Sequence, residues 1–262
     1  NNNTLQVNTI SLNKVYRNTF GIYSNTRHSP DDVLTPNEAT AATGSNSFNK
    51  VYGNNISNVN YGIVFIGSGA GNISAIDNGN DIGGTSSVTG NTLTNWGGGS
   101  ILSAFVSLNI NNSGILNNMQ VNDNISFNSI VSANLSTDAT VYGILKYFSV
   151  SQPTGIITGN IKNNTITITN TPIIPNTGSV FPIISQDIVP VLHTATFNIN
   201  NNTVQNSNVG GSVSITNGMT AIINSSAVGT LNINGNNILN NSITTANART
   251  ASLEGIRNSG AC

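Results

Sequence analysis

The sequence predicts an all-β solenoid: a chain wound into about seven stacked coils, with irregular loops between its strands. Three observations carry this. First, a pattern apolar-x-x-Asn-x-apolar recurs along the chain, as in Val51-Tyr52-Gly53-Asn54-Asn55-Ile56 and Ile233-Asn234-Gly235-Asn236-Asn237-Ile238. Its central asparagines, Asn18, Asn54, Asn91, Asn124, Asn160, Asn202 and Asn236, are separated by 36, 37, 33, 36, 42 and 34 residues. A period in this range marks a repeat architecture. Second, the apolar segments are only two to four residues long and are interrupted by Gly and Asn, as in Phe197-Asn198-Ile199 and Leu231-Asn232-Ile233. They alternate or are β-branched, as half-buried strands are. Third, no segment keeps the 3.6-residue period of an amphipathic helix over three turns.

Taken in order, Val15–Phe20 opens the series, and a loop from Thr26 to Ser47 follows it. Within that loop Pro36–Ala42 has a first-turn proline and an acidic residue, enough for one helical turn. A Gly-rich loop, Gly67–Ser87, follows the second copy. Leu108–Asn118 matches Leu231–Asn241 with Ser113 in place of Asn236, yet Ser113 falls only 11 residues before Asn124. Ile161–Ile166 likewise competes with the copy at Asn160. The register between Ser113 and Asn164 therefore stays open, with some coils of 22 to 24 residues as one solution. Four prolines between Pro172 and Pro190 argue against a central strand there. The cleanest unit runs from Phe197 to Leu231, with Asn and Gly at the corners, where both tolerate left-handed backbone.

This unit resembles one coil of the right-handed parallel β-helix, the pectate-lyase-like superfold, over nearly the whole chain. The resemblance implies that asparagines at equivalent turns stack into a ladder, each amide bonding to the next coil: Asn18, Asn54, Asn91, Asn124, Asn160, Asn202 and Asn236. The alternative is that each caps its own turn. Residues 1–262 read as one solenoid, expected to be a segment of something longer, because no capping helix is evident at either end.

Composition sets the other limits. About one residue in five is asparagine, only 6% are charged, and the net charge is -1. Frequent Ile and Val argue against disorder. Nucleic acid, which demands clustered Lys and Arg, is excluded as a partner, and no apolar stretch is long enough to span a bilayer. The lone cysteine, Cys262, has no companion for a disulfide or a metal, and no cofactor is implied.

Few residues suggest chemistry. Glycoside hydrolysis uses two carboxylates about 5 to 9 Å apart, yet Asp77, Asp81, Asp123, Asp138 and Asp187 share no repeat phase. The one cluster, His28 with Asp31 and Asp32, reads as a metal or acid–base site or, more simply, as an exposed Ser-Pro-Asp turn. Lys14 and Lys50 both precede Val-Tyr, which makes them repeat-equivalent; like charges on adjacent coils must point to solvent, and they read either as plain solvated lysines or as a small cationic patch for a glycan or carboxylate. Trp96, followed by three glycines, is the candidate for an exposed sugar-stacking ring. Thr165, Thr167 and Thr169 face one side of a strand; with no second such run in the sequence, they read as ordinary strand surface.

A stiff, nearly uncharged chain of this composition resembles the large Asn/Thr/Ser-rich repeat proteins of bacterial cell surfaces. That resemblance implies an extracellular adhesin-type solenoid that presents loops to a carbohydrate or cell-surface partner. The competing reading is a polysaccharide lyase or glycoside hydrolase on the same scaffold. Converging carboxylates beside Lys or Arg and an exposed aromatic would favour the enzyme, and a uniform Asn/Ser/Thr flank the scaffold.

Overall fold

The computed structural model describes residues 2–26, 39–69, 75–99, 112–148, 157–172, 178–187, 193–211, 218–245 and 251–260. These residues form a single-stranded right-handed parallel β-helix of seven coils, the hand that parallel crossovers take. The first sheet contains β1 (Thr4–Gln6), β4 (Lys50–Tyr52), β8 (Asp81–Ile82), β12 (Asp123–Ser126), β15 (Ile157–Lys162), β18 (His193–Asn200) and β22 (Val228–Asn234), in that spatial order. The second contains β2 (Thr9–Ser11), β5 (Asn55–Ser57), β9 (Thr92–Trp96), β13 (Ser129–Leu135), β16 (Thr165–Asn170), β19 (Thr203–Gln205) and β23 (Asn237–Leu239), extended by β20 (Asn208–Gly211) and β24 (Ser242–Thr245). The third stacks β3 (Phe20–Asn25), β6 (Tyr61–Ile66), β10 (Ser113–Asn118), β14 (Val141–Phe148), β17 (Val180–Asp187), β21 (Met219–Ser225) and β25 (Leu253–Asn258). A short pair, β7 (Asp77–Asn78) with β11 (Gln120–Val121), fills the corner between the third and first sheets.

Register follows from three aliphatic columns, each seven residues deep. The first sheet points Leu5, Val51, Ile82, Ile125, Ile161, Ile199 and Ile233 inward. The second aligns Ile10, Ile56, Leu93, Ile130, Ile166, Val204 and Ile238. The third aligns Ile22, Ile63, Ile115, Ile144, Ile183, Ile222 and Ile256. A slip of one residue would turn a whole column outward, and each fully buried side chain is worth roughly 1.5–3 kcal/mol. With coils about 4.8 Å apart, the stack is about 35 Å tall.

The corner between the first and second sheets is built the same way in most coils. The residue before the turn asparagine takes left-handed backbone: Val7 (φ 56), Gly53 (φ 60), Phe127 (φ 59), Asn163 (φ 58), Asn201 (φ 57) and Gly235 (φ 63). The turn asparagine then points inward. In the third sheet Gly21, Gly62, Gly114 and Gly143 form a column of close approaches; a Cβ on Gly62 would meet the carbonyl oxygen of Gly114 at 2.4 Å.

Three expectations change. Pro182 lies inside the central strand β17, where the register pairs Tyr142 with Phe181 and Ile144 with Ile183; proline occupies the glycine column between them. Ser113 opens β10 in the third sheet and is not equivalent to Asn236, so no 22-residue coil is needed. Of the expected Pro36–Ala42 turn, the described residues Ala39, Thr40 and Ala41 are not helical, and a single 3₁₀ turn starts only at Ala42, Ala42–Gly44; residues 27–38 lie outside the described ones.

Candidate functional site

The ladder is real, and its membership differs from the sequence reading. Its rungs are Asn8, Asn54, Asn91, Asn128, Asn164, Asn202 and Asn236. In the first six, the side-chain Nδ2 donates to the Oδ1 of the next coil, over 2.8, 2.9, 2.9, 3.0, 3.0 and 3.0 Å. The backbone N–H of each donates to the same oxygen. From Asn54 onward, Nδ2 also donates to a carbonyl of the preceding coil, such as Asn128 to Ile82 at 3.0 Å. The rungs are 46, 37, 37, 36, 38 and 34 residues apart.

Asn18, Asn124 and Asn160 are therefore corrected. Asn18 lies in the turn between β2 and β3. Asn124 and Asn160 pair with each other in register, but one residue before the inward Ile125 and Ile161, so they face outward. They belong to a second, external column that runs from Asp81 through Asn124, Asn160 and Asn198 to Asn232. Asn232 donates to Asn198 at 2.8 Å, Asn198 to Asn160 at 3.0 Å, and Asn124 to Asp81 at 2.7 Å.

Asp81, Asn124 and Asn160 of this column line a groove of about 540 Å³ on the first sheet, with Phe127, Lys162 and Asn163 on its walls. Among the described residues of the groove, Asp81 is the one carboxylate. Its oxygens accept from the Tyr52 hydroxyl at 2.6 Å, the Asn124 amide and the Gly84 N–H at 3.1 Å. Burial, followed by the Asp81 hydrogen bond and charge, raises the Tyr52 phenol above its ordinary 10. An acid engaged this way, with no second carboxyl beside it, lacks the paired geometry of glycoside hydrolysis.

The outward face of the second sheet is uncharged. Thr9, Asn55, Thr92, Ser129, Thr165, Thr203 and Asn237 stand in one column. The threonine run at Thr165 is thus one rung of a polar column seven deep, and not an isolated strand surface. The repeat is hidden in the sequence because Asn or Ser takes three of the seven rungs, Asn55, Ser129 and Asn237.

The remaining candidates separate. Trp96 is fully buried in the core at the end of β9, so it cannot stack on a sugar; the glycines after it turn the corner with left-handed backbone, Gly97 (φ 83) and Gly98 (φ 80). Lys14 lies in the turn after β2 and donates to Asn95 Oδ1 at 3.0 Å, whereas Lys50 opens β4 opposite Thr4 and Asp81. They are not equivalent and form no shared patch. His28, Asp31 and Asp32 lie outside the described residues.

A shorter amide stack occupies the corner between the third and first sheets. Asn3 donates to Asn49 at 3.0 Å, Asn49 to Asn80 at 3.1 Å, and Asn80 to Gln120 at 2.6 Å. Gln120 donates in turn to the buried Asp77 at 3.0 Å. Asp77 also accepts from Thr26 and the Asn46 N–H; burial nevertheless raises its carboxyl above the ordinary range, with these bonds opposing. Among the described residues no helix is long and apolar enough to cross a membrane. No family model, curated protein or solved structure matches the chain, so the fold stands on its own geometry.

Proposed function

We propose that the chain is an extracellular structural or adhesive solenoid, a rigid shaft that presents inserted loops and uncharged faces for attachment to a surface or a glycan. The observation that supports it best is the asparagine ladder, hydrogen-bonded from coil 1 to coil 7 with a continuous aliphatic core beside it. The Thr/Ser/Asn column of the second sheet gives this shaft an uncharged outer flank, beside which Val131 and Leu239 are exposed. A repeat architecture of this kind is stiff because every coil rests on its neighbours.

The enzyme reading, a polysaccharide lyase or glycoside hydrolase, draws on the fold alone, and fold does not fix function. The test is to incubate the full chain with a panel of soluble and insoluble polysaccharides, measuring retention and released sugar ends together. Retention without release supports the shaft. Release of new reducing or unsaturated ends in proportion to protein would overturn it in favour of the enzyme.

A further inference from the structure

The third-to-first corner of coil 4 holds a buried group that the shaft does not explain. Lys146, on β14, is 2% exposed and Asp123, on β12, is 0% exposed; Lys146 Nζ lies 2.6 Å from Asp123 Oδ1. The same nitrogen lies 3.0 Å from the Gln120 carbonyl oxygen and 3.4 Å from Asn117 Oδ1. Asn117, itself buried, sits directly across the ladder from Lys146 in coil 3. The rings of Phe148 and Phe197 close the site, 5.1 and 5.4 Å from Nζ. Coil 5 makes room with Gly159, opposite Asp123, where a Cβ would stand 2.6 Å from Lys146 Cε.

A buried ion pair repays its desolvation only when its remaining donors and acceptors are satisfied. Here they are not. Asp123 Oδ2 and Asn117 Nδ2 are buried with no hydrogen-bond partner among the described residues. Amine, carboxamide and carboxyl thus converge in a buried, aromatic-walled compartment, where proximity replaces a bimolecular encounter.

We propose that Lys146 and Asn117 are joined autocatalytically by an amide bond between Nζ and Cγ, with Asp123 as the acid–base residue. The Lys146 ammonium first passes a proton to Asp123 across their contact, leaving a neutral amine. Its lone pair attacks Cγ of Asn117, the C=O electrons move onto Oδ1, and a tetrahedral centre forms. Asp123 hands its proton to Nδ2 and takes the second proton from Nζ. The C=O bond reforms as the Cγ–Nδ2 bond breaks, and its electron pair departs with the nitrogen. The second proton follows through Asp123, so that Lys–NH₃⁺ and Asn–CONH₂ become –NH–CO– and NH₄⁺, with the Asp123 carboxylate restored. No oxidant or cofactor enters the balance. Burial raises the Asp123 carboxyl above its ordinary range, with Lys146 opposing, which suits a group that must carry a proton. The product would staple coil 3 to coil 4 covalently, a cross-link indifferent to redox conditions.

The test is the intact mass of the purified full chain, followed by tandem mass spectrometry of a proteolytic digest. The expected result is a mass lower than the sequence by one ammonia, with the Asn117 and Lys146 segments joined in one peptide. Lys146→Met and Asp123→Asn should both restore the full mass, and circular dichroism checks that each variant keeps its β content. Should either variant fail to fold, the parent's own mass and digest still decide. Full sequence mass in the folded parent would overturn the proposal. An ammonia loss that persists in Lys146→Met, as from a succinimide at Asn-Gly, would also overturn it. So would loss of one water with Lys146 joined to Asp123.

Discussion

Asn91 and Asn128, one coil apart, are joined twice through a single oxygen: Asn91 Nδ2 donates to Asn128 Oδ1 at 2.9 Å, and the Asn91 backbone N–H donates to it at 3.1 Å. Asn128 passes the pattern on, donating to Asn164 Oδ1 and to the Ile82 carbonyl, both at 3.0 Å. Both asparagines are buried, so water cannot replace these partners.

Asn128→Ala should therefore leave two donors on Asn91 and the Ile82 carbonyl without partners. With buried unsatisfied groups at about 1–3 kcal/mol each, the expected loss is about 3 kcal/mol or more in urea denaturation. Asn124→Ala, on the external column four residues away, should cost about 1 kcal/mol, because its acceptor Asp81 keeps the Tyr52 hydroxyl and the Gly84 N–H as donors. Equal losses would mean that the inward ladder has no special weight.

That contrast also shows what the sequence made legible. The fold class and the coil number follow from repeat spacing, and the ladder from the resemblance to the parallel β-helix; four of its rungs, Asn54, Asn91, Asn202 and Asn236, are those the resemblance implies. Asn124 and Asn160 misled because each directly precedes an isoleucine, without the intervening residue. Parity then sends the asparagine outward, whereas Asn128 and Asn164 keep the spacing and turn inward. Asn18 keeps the spacing too, but at a different corner. Trp96 misled because three following glycines suggest an exposed tip, although it is the last inward residue of its strand. The Asp123–Lys146 pair was invisible to a search for carboxylates in equivalent coils. Its partners come from two different sheets of one coil, 23 residues apart.

Val7 carries left-handed backbone (φ 56) immediately before Asn8, and it is 79% exposed. A β-branched residue is strained there, by roughly 1–2 kcal/mol. Asn163 and Asn201 occupy the same position in later coils, so Val7→Asn should raise stability by about 1 kcal/mol. An unchanged or lower denaturation midpoint would show that the strain is absent.

Gly62→Ala would place a methyl 2.3 Å from Leu93 Cδ2 and 2.4 Å from the Gly114 carbonyl oxygen. Overpacking of this kind costs about 1–3 kcal/mol, and the rigid carbonyl puts this site at the upper end. Gly255→Ala, in the last coil, meets only Ile238 Cδ1 at 3.7 Å and should be tolerated. Thermal unfolding of the two variants side by side distinguishes a stacked glycine column from independent turns.

Burial raises the Asp77 carboxyl in the folded state above its ordinary value of 3.8. The folded protein then binds this proton more tightly than the unfolded chain. The associated stability is fully present below the ordinary value and is lost as pH rises through the folded one. Stability measured from about pH 4 to about pH 7 should thus fall more in the parent than in Asp77→Asn. Asp123 shifts the same way in both proteins and drops out of the difference. Parallel pH profiles would contradict the shift.

Side-chain amide hydrogen exchange, followed by NMR on the intact chain, tests the stacked-coil account most directly. The Nδ2 protons of Asn54, Asn91, Asn128, Asn164 and Asn202 should exchange far more slowly than those of the exposed Asn55 and Asn122, and should be lost together on global unfolding. Exchange of those five amides at the rate of exposed asparagines would contradict the ladder, and with it the shaft.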